Sequence, residues 1–461
     1  MPAVSGAHGC YEHKPALDGP VDARSSRCSD QPRLVAPPAQ VHALKMTDKA
    51  KLRSNQYEKY TRTDLYGVSY ATGRRQFLEG AAAALLGGAL AGCSFGVLGS
   101  KNRSKPPPVV QLPRLRASVD RITNITVCTR PFRAQGPRLD VEQINGKTVV
   151  HNYGHGGSGW SLSWGSSAIA TENAMASGER KIAVIGCGAM GLTSALLLQR
   201  AGARVTIYAK ELPPNVRSSL ATGVWTPDSR ICFEREATPA FRQLWQRMAR
   251  RSFATYQTLL GLSANPVEFI DVYLVSDSPT AARGLRSDDT RPKFAELQRD
   301  LIADLMTRTE EFAPGTHPFG ERYVKRTALM MFNLTAYTRL LMADFFAAGG
   351  QIDIQEFHTP ADFANIREKT LVNATGYGAR ALFDDQSVIP VRGQVARMIP
   401  DSQIDYGILY NGAAFVPRRD GLVFQMLGPD DYYGFNDDTA VPDRAEAELA
   451  VNTIAGLFRP A

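Results

Sequence analysis

The sequence predicts an α/β protein built on a Rossmann-like, dinucleotide-binding βαβ unit. Three observations carry that expectation. The segment KIAVIGCGAMGLTSALLLQRAGARVTIYAKE, from Lys181, reads as strand, glycine turn, helix and second strand. A second glycine-rich turn, HNYGHGGSGWSLSWG (His151 to Gly165), lies just upstream and also runs into a helical pattern. Far downstream, Leu371-Val372 forms a short apolar strand that breaks at Ala374-Thr375-Gly376.

Bulk composition narrows the class. The chain has 461 residues, is 44% hydrophobic and 21% charged, which is ordinary for globular domains. Its formal charge of +8 is unevenly placed. Residues 1–117 hold 17 Lys/Arg and 8 Asp/Glu, or +9; the remainder holds 36 against 37, or −1. The body offers no basic surface for nucleic acid, so no nucleic-acid partner is expected. The six cysteines show no metal-ligand spacing, so no metal is expected; sequence alone leaves disulfide pairing open.

From the N-terminus, residues 1–73 lack helical or strand periodicity and read as a disordered extension. Residues 74–93 read as an export signal. Arg74-Arg75 precedes a short apolar run ending in Leu-Ala-Gly-Cys93, too short to span a bilayer and suited to a signal-peptide core. The paired arginines resemble the bacterial twin-arginine signal, and LAGC resembles a lipobox. The implied location is extracytoplasmic, in the periplasm or on the membrane through a lipid on Cys93, after export in the folded state. Such a signal is expected near a start, which makes Met46 the alternative to Met1. Residues 94–115, with Pro106-Pro107-Pro108, read as an extended tether.

Ile182 to Ile185 is an apolar run suited to a buried parallel strand. Gly186 permits the tight turn, Gly188 lets backbone approach a pyrophosphate, and Gly191 lets helix and strand pack closely. Ala189 and Met190 open the helix, Gly202 ends it, and Val205–Ile207 is the next strand. The acid after that strand is Glu211, beside Lys210, rather than a residue at Ala209; the shift argues against a simple NAD site. Phe241, Leu244, Trp245 and Met248 recur at helical spacing and read as packing, and LTAYTRLLMADFFAAGG reads as a helix closed by Gly349-Gly350.

These segments together resemble the FAD-dependent D-amino-acid oxidase family, over most of residues 121–435. IYAKELPPNVRSSLATGVWTP (Ile207 to Pro227) is similar to the family's FAD strand and loop, NATG and PVRGQV to its later strands, and LYNGAAFVPRRDG (Leu409 to Gly421) to its active-site hairpin. CTRPFRAQGPRLDVE and HNYGHGGSGWSLSWG are similar to its last two signatures. In the family those two come last; here they come first, so the resemblance implies a circular permutation in which both glycine turns serve one FAD. It also implies a two-dinucleotide-fold FAD domain (about 145–235 and 335–385), an α+β substrate domain with a mostly antiparallel sheet (about 116–144, 236–334 and 386–440) and a C-terminal helix (442–458).

The implied FAD contacts are Gly186, Gly188, Ala189, Met190, Gly191, Lys210, Glu211, Arg217, Ser218, Gly223, Val224 and Gly376, with Gly157, Ser158, Gly159, Trp160 and Ser161 at the flavin. N–H groups at Gly157, Gly159 and the following helix start are expected to stabilise negative charge on reduced flavin. Arg133 is implied as the carboxylate clamp and Tyr410 as its hydroxyl partner. Arg130 and Arg138 are expected to be structural or near the cofactor, and His151 and His155 to be scaffold. The family's second tyrosine falls on Ala414. The implied reaction is hydride transfer from an amino acid to FAD, with oxygen or a quinone as final acceptor; a non-catalytic flavin-binding protein is the remaining alternative.

Overall fold

A computed structural model describes residues 110–279 and 289–458. The extension, the export signal with Cys93, and the tether up to residue 109 lie outside the described residues.

One sheet has six strands: β2 (Val141–Ile144), β3 (Lys147–His151), β4 (Lys181–Ile185), β5 (Arg204–Ala209), β9 (Gln351–Ile354) and β10 (Thr370–Asn373). Their order is β2-β3-β10-β4-β5-β9. Every pairing is parallel except β2 with β3. Residues 182–185 of β4 are all buried, as a strand covered on both faces requires.

The other sheet has eight strands in the order β1-β11-β14-β13-β12-β6-β8-β7. These are β1 (Ile122–Arg133), β6 (Val267–Ser276), β7 (Glu310–Phe312), β8 (Tyr323–Phe332), β11 (Val388–Met398), β12 (Tyr406–Tyr410), β13 (Ala413–Arg418) and β14 (Gly421–Met426). All pairings are antiparallel except β12 with β6.

Five longer helices complete the frame: α1 (Gly159–Ala176), α2 (Ala189–Arg200), α3 (Pro239–Gln257), α4 (Leu334–Ala347) and α5 (Arg444–Ala455). Helix α3 starts at Thr238, whose side chain caps the Phe241 N–H, with Pro239 in the first turn. Asp443 caps α5 in the same way.

Two placements differ from the expected boundaries. Strand β2, expected in the second domain, edges the six-stranded sheet, because Asn145 and Gly146, both at positive φ, reverse the chain into β3. Helix α3 was also expected there, yet its Trp245, Met248 and Ala249 join the core formed by α1 and α2. Close approach makes that possible: a Cβ on Gly165 of α1 would fall 2.2 Å from the Met248 carbonyl oxygen.

The eight-stranded sheet has two different faces. One packs Tyr406, Ile408, Phe415 and Phe424 against Val451 and Ile454 of α5. The other presents Val272, Val395, Val416 and Val423. The ends of the described chain meet on the first face. Arg114 donates to the Phe458 carbonyl at 3.0 Å, and Arg444 to that of Val119 at 2.9 Å.

The α1–α3 contact gives a stability prediction. Gly165→Ala should cost about 1–3 kcal/mol in urea denaturation, the range for overpacking a well-filled core. An unchanged midpoint would show that the two helices do not need that approach.

Candidate active site

A cavity of about 1170 Å³ opens where the two sheets meet. This exceeds the usual size of a single small-ligand pocket. Its wall runs from the ends of β5 and β9 (Lys210, Glu211, Gln355 to His358), past both glycine turns, to the valine-bearing face of the eight-stranded sheet.

The first turn is built by close approach. Gly186 has φ 107°, and a Cβ there would meet the Ala374 carbonyl oxygen at 2.6 Å, so the turn nests against the break after β10. Helix α2 follows. Its N-cap, Gly188, offers no side chain, and the Ala189 N–H donates to Ser218 Oγ at 3.1 Å. The second turn is pinched between two backbones. The Gly156 N–H donates to the Pro131 carbonyl at 2.8 Å, while a Cβ on Gly156, at φ 54°, would meet the Arg230 carbonyl oxygen at 1.9 Å. Helix α1 follows, and its N-cap Ser158 also makes no side-chain cap.

Thus two helices begin on one cavity without a cap from their own N-cap residues; at α2 Ser218 takes the Ala189 N–H, and the remaining first-turn N–H groups lie on a wall suited to electron-rich groups. The cavity volume, the two helix starts and the glycine cradles fit FAD. The first-turn N–H groups of α2 would hold its pyrophosphate and those of α1 its flavin.

Most expected cofactor residues lie in this wall. From the first turn and the loop after β5 come Gly186, Gly188, Ala189, Met190, Lys210, Glu211, Arg217, Ser218, Gly223 and Val224. Gly376 comes from the turn after β10, and Gly157, Gly159, Trp160 and Ser161 from the second turn. Gly191 and Ser158 are behind it. A Cβ on Gly191 would meet the Gly186 carbonyl oxygen at 2.0 Å, so it packs helix on turn. Ser158 is buried and donates to the Ser229 carbonyl. One electrostatic expectation changes. The Gly157 N–H is spent on the Ser229 carbonyl at 2.9 Å, which leaves Gly159, Trp160 and Ser161 as the donors at the α1 start. The Ser161 hydroxyl accepts the Thr226 N–H at 2.8 Å, and Trp160 donates to the Ser218 carbonyl at 2.7 Å; both pin the loop after β5 to that helix start.

The two expected substrate residues are elsewhere. Arg133 lies outside the cavity wall: it packs under Gly154, stands 3.7 Å from Asp385 and lies over the Tyr153 ring. Tyr410 donates to Asp277 on the other face of the sheet. Strand parity explains both. Arg133 is three residues from Arg130 on β1, so the two project from opposite faces. Tyr410 sits opposite Ala413, whereas Leu409 and Ala414, which pair with each other, line the cavity.

On the cavity-facing side of β1 stands Arg130 rather than Arg133. It lines the cavity and lies over Gly393, where a Cβ would be 2.4 Å from the guanidinium. Among the described residues no carboxylate is in ion-pair contact with it, although Glu446, paired with Arg392, acts on it through space; its Nη1 donates to the Arg392 carbonyl at 3.1 Å. Burial pulls its pKa below the ordinary arginine value. The sequence signal for this placement is Gly393, a glycine inside a buried strand that marks where a neighbour intrudes. Beside Arg130, the Cys128 thiol donates to the Arg217 carbonyl at 3.3 Å and is pushed up by burial. Thr222 donates to Gln425 on the same wall.

Both histidines of the second turn are held by structure. His155 is buried with Nε2 2.7 Å from Ser166 Oγ, and burial pulls its pKa down to about 3. His151 lies between Glu142 and Asn373, and burial lowers it as well.

Comparison with known proteins places these features in context. A family model described as "DAO: FAD dependent oxidoreductase" matches residues 181–461. The D-amino-acid oxidase of Rubrobacter xylanophilus is 29% identical over 282 residues, covering 59% of this chain and 76% of that protein. That of Dictyostelium discoideum is 24% identical over 284 residues, covering 60% and 73%. Among solved structures, the L-amino acid deaminase from Proteus vulgaris is 12% identical with a TM-score of 0.41, covering 61% of this chain and 80% of that one.

The depressed histidine sets a pH dependence. Unfolded His155 takes up a proton below about pH 6.5, while the folded state resists until about pH 3. Stability is therefore full above pH 6.5 and falls as the pH drops through that window. His155→Gln should flatten this fall in melting temperature between pH 7 and pH 5; an unaltered pH profile would remove His155 as its source.

Proposed function

The chain belongs to the FAD dependent oxidoreductase family, and we propose that it oxidises a D-amino acid, or a related amine-bearing acid, to the imino acid. The observation that carries this reading is Arg130: a half-buried guanidinium on the wall shared by both glycine turns, with no carboxylate in ion-pair contact among the described residues. A planar, permanently charged fork suits a carboxylate gripped through two hydrogen bonds.

Bound FAD supplies a two-electron acceptor for hydride leaving the substrate Cα. This chain's residues orient the substrate. Arg130 fixes the carboxylate, and with it the direction of the Cα–H bond. Leu274, Leu329, Val395 and Val416 make that wall apolar and exclude water. The N–H groups at the start of α1 would stabilise negative charge on a flavin held there. The amine binds neutral, its proton going to solvent, so no protein base is assigned. Two electrons leave the substrate with the hydride, and the imino acid hydrolyses to keto acid and ammonia. Oxygen, yielding peroxide, or a quinone would serve as the final two-electron acceptor. The export and lipobox pattern around Arg74-Arg75 and Cys93 favours an extracytoplasmic, membrane-tethered enzyme and keeps a quinone-reducing dehydrogenase as the second reading.

We also infer that the chain is a circular permutant of its family. Two observations support this. The family match begins at β4, after both segments that resemble the family's last signatures. The ends of the described chain touch through Arg114 and Phe458, while residues 177–180 make a short join between α1 and β4. A chain opened within 177–180, with residue 458 linked to residue 110 by a short Gly/Ser segment, should fold and hold FAD with the same absorption spectrum. Insoluble or colourless product from that rearrangement would argue that the present order is required.

The site reading separates two arginines. Arg130→Ala should weaken benzoate binding, read from the flavin absorption band, by at least about 30-fold, the lower end of the cost of truncating one partner of a buried charge pair. Arg133→Ala should change that affinity far less and lower the melting temperature instead. The reverse ranking would return the clamp to Arg133.

A further inference from the structure

The loop after β5 is fastened to the helix starts and to the eight-stranded sheet at neighbouring points. Ser218 joins the helix starts: its hydroxyl accepts the Ala189 N–H and its carbonyl accepts from Trp160. Ala221 joins the sheet: its carbonyl accepts from Arg418 Nη1 at 2.7 Å. Arg418 stands on β13 two residues beyond Val416, so both project from the cavity-facing side of that strand. Its side chain is fully buried. Its Nε lies 2.8 Å from one Asp420 oxygen, and its Nη2 donates to the other. Thr335, in the first turn of α4, donates to the same carboxylate. Burial works against ionisation of Asp420, yet Arg418 and Thr335 hold its carboxyl below the ordinary value.

Stability does not explain this pair. A buried ion pair adds little net stability, and apolar side chains of the same volume often replace it without loss. What an apolar side chain cannot supply is a donor for the Ala221 carbonyl. That donor sets the direction of one peptide. The Ala221–Thr222 bond is trans, so a carbonyl turned onto Arg418 turns the Thr222 N–H the other way. Thr222 lines the cavity, and among the described residues its N–H meets no acceptor. The neighbouring contacts leave this peptide little freedom. The Gly223 carbonyl accepts the Phe332 N–H at 2.7 Å, and the Trp225 N–H donates to the Met330 carbonyl at 2.9 Å. Gly223, at φ 90°, leaves no room for a side chain: a Cβ there would lie 2.7 Å from the Phe332 carbonyl oxygen and 3.4 Å from Arg418 Cδ. A buried side chain of the substrate sheet thus fixes a backbone donor on the cofactor's wall.

We propose that Arg418 is a positioning residue for the cofactor: through the Ala221 carbonyl it holds the Thr222 peptide with its N–H toward bound flavin. This rests on the reading of the cavity as an FAD site and is independent of which substrate is oxidised. The test compares holoenzymes of wild type, Arg418→Lys, and the double variant Arg418→Met with Asp420→Asn, which removes both charges together and keeps the space filled. Three quantities are read: the apparent Kd of FAD, from flavin fluorescence released on dilution; the visible circular dichroism of bound flavin at saturating FAD; and the melting temperature at saturating FAD, which removes the shift caused by weaker binding. The double variant should bind FAD at least about 10-fold more weakly, the loss expected when a hydrogen bond from a charged donor is removed. Its visible dichroism should change while its melting temperature stays near that of wild type. Arg418→Lys should change both flavin readings in the same direction and by less, because an ammonium cannot form the fork to Asp420 and reach Ala221 at once. Unchanged Kd and visible dichroism in the double variant would overturn the proposal and leave the pair as core filling, whatever the melting temperature does. If the double variant does not fold, unchanged flavin readings in Arg418→Lys overturn it. A colourless wild-type protein that takes up no added FAD would overturn it together with the cofactor reading.

Discussion

The buried seam between α1 and α2 is the constraint on which the rest of the molecule depends. Asn152 donates to Ser194 at 3.1 Å and accepts from Ser166 at 2.6 Å. Ser167 shares a hydrogen bond with Thr193 at 2.8 Å and accepts from Ser194 at 2.9 Å. All of these side chains are buried. A made hydrogen bond adds only about 1 kcal/mol net, but a buried polar group left without a partner costs about 1–3 kcal/mol. The network is therefore close to all-or-none, and it fixes the two helices in one register. Because both helices start at glycine turns, fixing their register also fixes two sets of N–H donors on one cavity.

This arrangement makes the order of the segments along the chain secondary. Strand β3 lies beside β10, and β10 beside β4, through parallel backbone pairing that does not depend on which segment comes first. Helix α1 is held by the hydroxyl seam on one side and by α3 on the other, where the Gly165 N–H donates to Ser252 Oγ at 2.9 Å. The four residues joining α1 to β4 carry little of this. Gly178, at φ 79°, lets the chain leave the helix, and Arg204 donates back to the Arg180 carbonyl at 2.7 Å. A covalent join moved from one edge of the body to another therefore leaves the interactions around the cavity unchanged. That is the physical basis for the proposed permutation.

How much of this the sequence discloses depends on the length scale of each interaction. The βαβ unit at 181–209 is legible because strand, turn and helix are contiguous and each follows local rules of spacing and glycine placement. The break after β10 is legible for the same reason. Sidedness across a strand is harder to read. In Arg-Pro-Phe-Arg both arginines suit a carboxylate, and only the pairing of Cys128 with Gly393 shows which face the cavity takes. The hairpin at Asn411-Gly412 poses the same problem. Its two positive-φ residues set a tight turn, and that register turns Tyr410 toward Asp277 and Ala414 toward the cavity. A one-residue change in register would exchange them. The placement of Arg230 on the cavity wall was out of reach for another reason: it follows from contacts with Gly156 and Asp431, which lie 74 residues before it and 201 residues after it.

The distribution of charge decides how such a site recognises an anion. Residues 118–461 carry a net charge of −1, so the body as a whole has no long-range field to draw in a negatively charged substrate. Positive character is concentrated instead on the cavity wall, at the starts of α1 and α2 and at Arg130. Interactions of this kind act over a few ångströms and are little weakened by salt. They govern how long a bound carboxylate stays rather than how often it arrives.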